Sequence, residues 1–501
     1  MLERFADGAR GLALGGELIE TEQAEYGLIG HLPALYPEWL GDRSFCERHN
    51  TRFAYVTGAM ANGIATPRLV IAMGRAQMLG FFGAAGLSFD KVERGLQVIQ
   101  SELAGTNAAW GVNLIHSPNE PVLEQRVADL YIRHSVPRVS AAAYMKLSPS
   151  IVRYAYSGLS LGPDQRVVRP HSVFAKISRS ETALHFMKPA PEAMLRALVQ
   201  ANLLTEMEAK IGATLPVAED ITAESDSGGH TDNRPLAALL PDIMAARDAV
   251  MREYGFDRPI RVGAAGGLGT PASVAAAYAM GAAYVLTGSV NQGAVESGLS
   301  QAGREMLAAA SMTDVIMAPA ADMFELGVEV QVLKRGTMFG TRAKKLHEIY
   351  KVYKSIEEIP AREREALEKR VLGARIDDIW QETYAFWSKR DEAEAARALE
   401  DPRHKMALIF RWYLGKASKW AIDGTPERAF DYQIWCGPAM GAFNTWVKGS
   451  FLEPVESRSA VQIALNLLEG AASITRAHQL RTFGVPVPAQ SFAFQPRKLS
   501  L

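Results

Sequence analysis

Cysteine is nearly absent: Cys46 and Cys436 are the only two in 501 residues. Two isolated thiols exclude a disulfide framework and a cysteine-rich zinc site, and a reducing cytoplasm is the expected setting. Charge of one sign is also lacking. The 54 Lys and Arg balance 55 Asp and Glu to a net charge of −1, so no overall field exists to draw nucleic acid or an anionic membrane. No run of about 18 apolar residues occurs, and Met1–Leu14 lacks a basic start followed by a sustained apolar core, so neither a membrane span nor a signal segment is expected. The Gly-x-Ser-x-Gly elbow, the Walker-type lysine loop and Cys/His metal spacing are missing as well. Asp220, Glu224 and Asp226 alternate along one stretch, but no second ligand cluster supports them and no metal is expected.

What the chain does have is alternation. From Phe53 to Ala310 short apolar runs alternate with amphipathic stretches, the pattern of repeated strand–helix units around a parallel sheet. Eight strands are expected, at Phe53–Thr57, Leu79–Phe82, Trp110–Ile115, Arg138–Ala143, Ser172–Ile177, Val217–Ser225, Ile260–Ala264 and Ala282–Thr287. Helices are expected between them, including Ala190–Lys210 as one piece. Eight units in about 260 residues is the size of a complete (β/α)8 TIM barrel, so the fold class is α/β. Beyond Ser311 the chain turns to charged helix formers, with Ile376–Arg397 among the amphipathic stretches, while Tyr432–Pro438 reads as an aromatic turn. The expected organisation is an irregular segment at 1–49, a barrel at 50–312, and a lid with a helical C-terminal domain at 313–501.

Barrel ligands bind where strands end, so the residues after each strand are the ones that matter. After strands 7 and 8 stand Ala265-Gly266-Gly267-Leu268-Gly269-Thr270-Pro271 and Thr287-Gly288-Ser289. Paired glycines let backbone N–H groups approach an anion, and Pro271 suits the first turn of a helix whose positive end faces it. Strand 6 runs into Ser227-Gly228-Gly229-His230. An imidazole at the barrel mouth can give a proton to a carbanion or enolate, or remove one from an acidic carbon. The small-residue turns Gly58-Ala59-Met60 and Gly83-Ala84-Ala85-Gly86 allow backbone to lie against a planar ring, as a flavin would require. Asn113 and Lys176 lie within strands 3 and 5 and need polar partners, either a pyrimidine edge or, for Lys176, an ion pair with Glu224 or Asp220. Lys146, after strand 4, reads as solvated. Basic sets at Lys334-Arg335, Arg342, Lys344-Lys345 and at Lys405, Arg411, Lys416, Lys419 permit an acidic protein partner.

Gly58-Ala59-Met60, Gly111-Val112-Asn113-Leu114, Ser227–His230, Ala265–Gly269 and Thr287–Ser289 together resemble the nitronate monooxygenase and flavin-dependent enoyl reductase superfamily. More narrowly, His116–Pro121, Asp226–Pro235, Ala318–Gly327, Gln331–Met338 and Asp431–Asn444 look like the PfaD type, the trans-acting enoyl reductase of polyunsaturated fatty acid synthases and trans-acyltransferase polyketide synthases. The resemblance runs from about Phe45 to Val487. It implies an FMN-bound barrel, with Ala59, Met60, Asn113 and Lys176 on the ring and Gly228, Gly229 and Ala265 nearby. It further implies phosphate contacts from Gly266, Gly267, Gly288 and Ser289, and His230 as the active-site histidine. NADPH would be the reductant, an enoyl thioester on an acyl carrier protein the substrate, and synthase modules the partners; a homo-oligomer is compatible with it. Ala59 and Asp232 stand where the wider superfamily often has glycine, and both suit the narrower type. The competing readings are a nitronate-type flavin oxygenase and a non-catalytic docking component.

Overall fold

The computed structural model describes residues 1–500 apart from Gly16, Leu18 and Asn119, so Asn119 of the family-like motif His116–Pro121 lies outside the described residues. The barrel strands are β1 (Tyr55–Thr57), β2 (Leu79–Phe82), β3 (Trp110–Ile115), β4 (Arg138–Ala142), β5 (Ser172–Ile177), β6 (Asp220–Glu224), β7 (Arg261–Ala265) and β8 (Val285–Thr287). They close into one parallel barrel in the order β5-β6-β7-β8-β1-β2-β3-β4, with β4 paired to β5. Several returning helices begin the same way: Thr66-Pro67, Ser148-Pro149 and Thr270-Pro271 each put a hydroxyl on the amide three residues ahead and proline in the first turn. That cap satisfies an orphan donor and fixes where each loop ends.

The barrel lumen is filled by Phe45, Val56, Phe81, Phe174, Tyr284 and Leu286, all buried. The helix Arg43–His49, which contributes Phe45, plugs the N-terminal ends of the strands. There Arg261 Nε and Nη2 donate to Asp220 at 2.6 and 3.0 Å, and His49 Nε2 meets the same carboxylate at 3.0 Å. Arg138 Nε donates to His49 Nδ1 at 3.1 Å. An acceptor at Nδ1 and a donor at Nε2 fix one neutral tautomer.

A second apolar core, with Phe324, Leu346, Phe410 and Tyr413, lies in the region beyond the barrel. The long helix Ala460–Thr482 returns to pack on Pro271–Ala279, with Gly470 closest to Pro271. Two strands not anticipated from sequence, β9 (Val315–Pro319) and β10 (Glu329–Leu333), form an antiparallel sheet with the two-residue strand Gly229–His230. No helix among the described residues is long and apolar enough to cross a membrane.

Some sequence expectations need correction. The sixth strand is shorter at its start, because the amides of Val217 and Ala218 bond to the carbonyls of Lys188 and Phe186. The single helix expected over Ala190–Lys210 is two, Glu192–Gln200 and Glu206–Gly212, separated at Asn202 with φ of 55° and restarted by a Thr205/Glu208 capping box. Helix Ser180–Met187 was not anticipated. Ile376–Arg397 breaks at Asp391, whose carboxylate caps a new helix, Glu392–Glu400.

The plug makes stability pH-dependent. Burial pushes His49 down to about 4, outweighing the pull of Asp220, while the unfolded chain protonates near 6.5. Between those values the unfolded state binds more protons, so stability falls as pH drops from about 6.5 toward 4. A thermal melt followed across that range should show Tm falling, and His49→Gln should flatten the slope; an unchanged slope would remove His49 as its source. Asp220→Ala, which leaves Arg261 buried without its partner, should cost about 3–5 kcal/mol in denaturant unfolding.

Candidate active site

The C-terminal ends of the strands carry the expected site residues, and their surroundings differ in kind. Ala265 closes β7, its carbonyl accepting from Ser225 N and Ser225 Oγ, both at 2.9 Å. Gly266 and Gly267 follow with φ of 87° and 70°. A Cβ at Gly266 would stand 2.5 Å from Ser225 Oγ, so that glycine is needed for close packing of the β6 and β7 loops. Gly267 and Gly288 differ: a Cβ at either would meet nothing within 4 Å. Neither amide has a protein partner among the described residues. Two unpaired N–H groups beside open space form a cradle that fits an anion such as the phosphate of a nucleotide cofactor. Ser289 Oγ, at the rim, accepts from Gly437 N at 3.2 Å.

Next to the β8 loop, the loops after β1 and β2 meet backbone to backbone. A Cβ at Gly83 would lie 1.7 Å from the carbonyl oxygen of buried Met60, while neighbouring Ala59 is half-buried. Asn113 is buried; its Oδ1 accepts from Ala85 N at 3.1 Å, and its Nδ2 has no protein partner among the described residues. A side-chain amide with a free donor end suits a heteroaromatic edge that presents acceptors.

Lys176 Nζ lies 2.8 Å from Glu224 Oε1, and Ser227 Oγ donates to the same oxygen at 3.0 Å. The ion pair left open by the sequence is therefore formed, with Glu224 rather than Asp220. The three alternating carboxylates are each committed elsewhere: Asp220 to the plug, Glu224 to Lys176, and Asp226 to Gln331 Nε2 at 2.6 Å and Asn233 Nδ2 at 3.0 Å.

His230 emerges from the loop after β6. Its backbone is held by pairing of Gly229 with Gln331 and of His230 with Val330. Its side chain is 37% exposed, and Nε2 stands 3.3 Å from Asp322 Oδ1 without the alignment of a hydrogen bond. Burial raises the Asp322 carboxyl, but the adjacent imidazole outweighs this and holds it below its usual value. His230 thus lies beside a carboxylate, its Nε2 buried against Asp322 without an aligned hydrogen bond while other atoms of the side chain reach solvent.

Sequence reasoning placed Gln331 and Asp322 only within family-like motifs, without roles, and missed the seat of the 432–438 segment. Buried Gln331 bridges Asp226 and the Ser227 carbonyl, the latter at 2.8 Å. Trp435, half-buried, packs beside Gly229, and its carbonyl accepts from Gln292 Nε2 at 2.5 Å. Gly269 faces the Ala439 carbonyl so closely that a Cβ would stand 2.1 Å from it. The aromatic turn was visible as a motif; only the fold places it over the β6, β7 and β8 loops.

The two basic sets are mostly engaged internally. Arg335 pairs with Asp314, Arg342 with Asp431, Lys345 with Glu363, Arg411 with Glu325 and Lys416 with Glu382, while Lys405 lies over Trp380. They do not present one free basic face.

Comparison with known proteins gives two matching families in succession. Residues 46–355 match nitronate monooxygenase, and residues 353–432 match the inserted helical domain of [acyl-carrier-protein] S-malonyltransferase. One of the polyunsaturated fatty acid synthase subunits of Thraustochytrium sp. is 46% identical over 88% of the chain and 30% of its own length. Polyketide biosynthesis protein PksE of Bacillus subtilis is 42% identical over 92% of the chain and 58% of PksE. The chain thus spans less than two thirds of either relative. The solved enoyl reductase domain of MlnA, from the macrolactin biosynthesis cluster of Bacillus amyloliquefaciens, superposes with a TM-score of 0.84 at 37% identity, covering 89% of the chain and 99% of that domain. FabK from Thermotoga maritima, at 17% identity and a TM-score of 0.51, shares the fold. With the profile match over residues 46–355 and the near-complete overlap with the MlnA domain, the chain belongs to the nitronate monooxygenase family, in the PfaD-type branch that its motifs resemble.

Proposed function

We propose that the protein is an FMN-dependent enoyl reductase that uses NADPH to reduce the α,β-double bond of an enoyl thioester carried on an acyl carrier protein, within polyketide or polyunsaturated fatty acid biosynthesis. The observation that carries the reading is the pairing, at one barrel mouth, of an open two-glycine cradle with a partly exposed imidazole set beside a carboxylate. The likeness to the MlnA enoyl reductase domain supports it.

The cradle at Gly266, Gly267, Gly288 and Ser289 would hold the FMN phosphate. Ala59, Met60 and the Asn113 amide would flank the ring, with Gly228, Gly229 and Ala265 close by. A bound flavin, once reduced by NADPH, supplies the hydride that adds to the β-carbon of the substrate. The protein must then manage a developing enolate. The His230 imidazole would deliver a proton to the α-carbon, and Asp322 beside Nε2 would stabilise the imidazolium before transfer. Lys176, held by Glu224, would keep a positive charge near the ring without blocking it. The sheet of β9 and β10, which fixes the backbone of His230, would exclude water from the reacting face.

Purified protein should show flavin absorption, lose it on anaerobic addition of NADPH, and regain it on addition of a crotonyl thioester. Absence of flavin would defeat the proposal and favour a docking component. Failure of the enoyl thioester to restore the colour anaerobically, together with nitronate-dependent consumption of dioxygen in the absence of NADPH, would move the protein to the oxygenase reading.

His230→Asn should lower kcat by about 10²–10⁴-fold while leaving flavin content and the rate of NADPH reduction near those of the parent. Equal loss in both half-reactions would assign His230 a structural role instead. Gly288→Asp, which sets a carboxylate in the cradle, should weaken FMN retention on dialysis by at least about tenfold.

A further inference from the structure

The region beyond the barrel roofs the mouth unevenly. Ser418 accepts from Asn62 Nδ2 at 3.3 Å, reaching the β1 loop. Arg390 makes two bonds to Glu120, at 3.0 and 3.1 Å, at the end of the β3 loop. The β6, β7 and β8 loops are covered by β10 and the 435–439 segment. By contrast, no hydrogen bond or ion pair among the described residues ties the loops after β4 and β5 to any residue beyond 313. Met145, after β4, is 58% exposed, and Lys146 and Arg179 beside it are exposed too.

Exposed cations stand in this gap and on the flank of the β6 loop next to it. Lys146 follows β4, Arg179 follows β5, and Arg234 lies in the β6 loop; these strands are adjacent in the barrel. Asp232 neutralises Arg179 through bonds of 2.9 Å to Nε and Nη2. Lys146 and Arg234 keep no ion-pair partner among the described residues, unlike most of the basic residues on the roof.

We infer that the gap over β4 and β5 is where the carrier arm reaches the site, with Lys146 and Arg234 binding the phosphodiester of its 4′-phosphopantetheine. An arm attached at one end to a protein needs an opening that a free substrate does not, and its single anionic group sits near the attached end. A cationic rim outside an apolar threshold at Met145 matches that order of groups. The inference rests on the proposed enoyl reductase reading and adds to it a direction of approach and two phosphate-binding residues.

The full chain should be assayed with the same enoyl group on a carrier protein and on N-acetylcysteamine, which lacks the phosphate. Lys146→Glu and Arg234→Ala should each raise KM for the carrier substrate, the former by about tenfold, while KM for the N-acetylcysteamine thioester and for NADPH stay within about twofold. An unchanged carrier KM would overturn the inference. A rise confined to NADPH would also overturn it, assigning the rim to the phosphates of the reductant. If the parent protein turns over neither thioester, the functional reading fails. Direct titration with 4′-phosphopantetheine and with pantetheine then decides the rim separately: tighter binding of the phosphorylated form, lost in Lys146→Glu, supports it, and equal binding refutes it.

Discussion

Two glycines placed back to back hold this structure's site together. A Cβ on Gly228 would stand 2.8 Å from the Cys436 amide nitrogen, and one on Gly437 would stand 2.9 Å from the Gly228 amide nitrogen. No side chain fits at either position without moving backbone. Because both are bare, the 435–439 segment lies directly on the loop that leads to His230, and Cys436 N can donate to the Gln331 carbonyl at 3.3 Å. Gln331 in turn fixes Asp226 and the Ser227 carbonyl. The loop that would present the imidazole is thus shaped from above by residues some two hundred positions away in the chain. The barrel supplies the platform; the appended region supplies the constraint.

That arrangement explains what could be read in advance. The eight strands were legible because each is a short apolar run bounded by small or polar residues, and the chemistry of a parallel barrel buries both faces of such runs. Trp110–Ile115 and Ser172–Ile177 have the expected limits. Local hydrogen bonding decided where expectation failed. The start of the sixth strand is drawn away by Lys188 and Phe186, and Asp391 stops one helix by capping the next. Neither competition is visible in hydrophobic pattern.

The site was legible to a different depth. Glycine pairs and the histidine stand out by type and spacing, but whether a glycine is open or packed depends on its neighbours in space. Gly266 and Gly267 are adjacent in sequence, yet one presses on Ser225 and the other faces open volume. The strands Val315–Pro319 and Glu329–Leu333 were obscured by their position among charged helical stretches, and their partner is only the two residues Gly229–His230. Lys176 posed a choice between a ligand and an ion pair; distance alone resolves that it reaches Glu224. The two alternatives are not exclusive, since a cation partly neutralised by a carboxylate still orients donors toward a ring.

The two histidines at opposite ends of the barrel show how context assigns a role that residue type leaves undetermined. His49 has both ring nitrogens engaged, one by Arg138 and the other by Asp220, and burial depresses its basicity. Every proton position there is accounted for, so proton transfer at His49 would break a structural bond. His230 has its backbone pinned by a strand partner while Nε2 lacks an aligned bond and the side chain reaches solvent. A group meant to exchange a proton with a bound molecule needs that combination, because geometry must be set before the reaction and the bond must remain to be made during it. The same fold therefore spends one imidazole on closing the bottom of the barrel and holds the other at the top beside a carboxylate, with its side chain partly exposed.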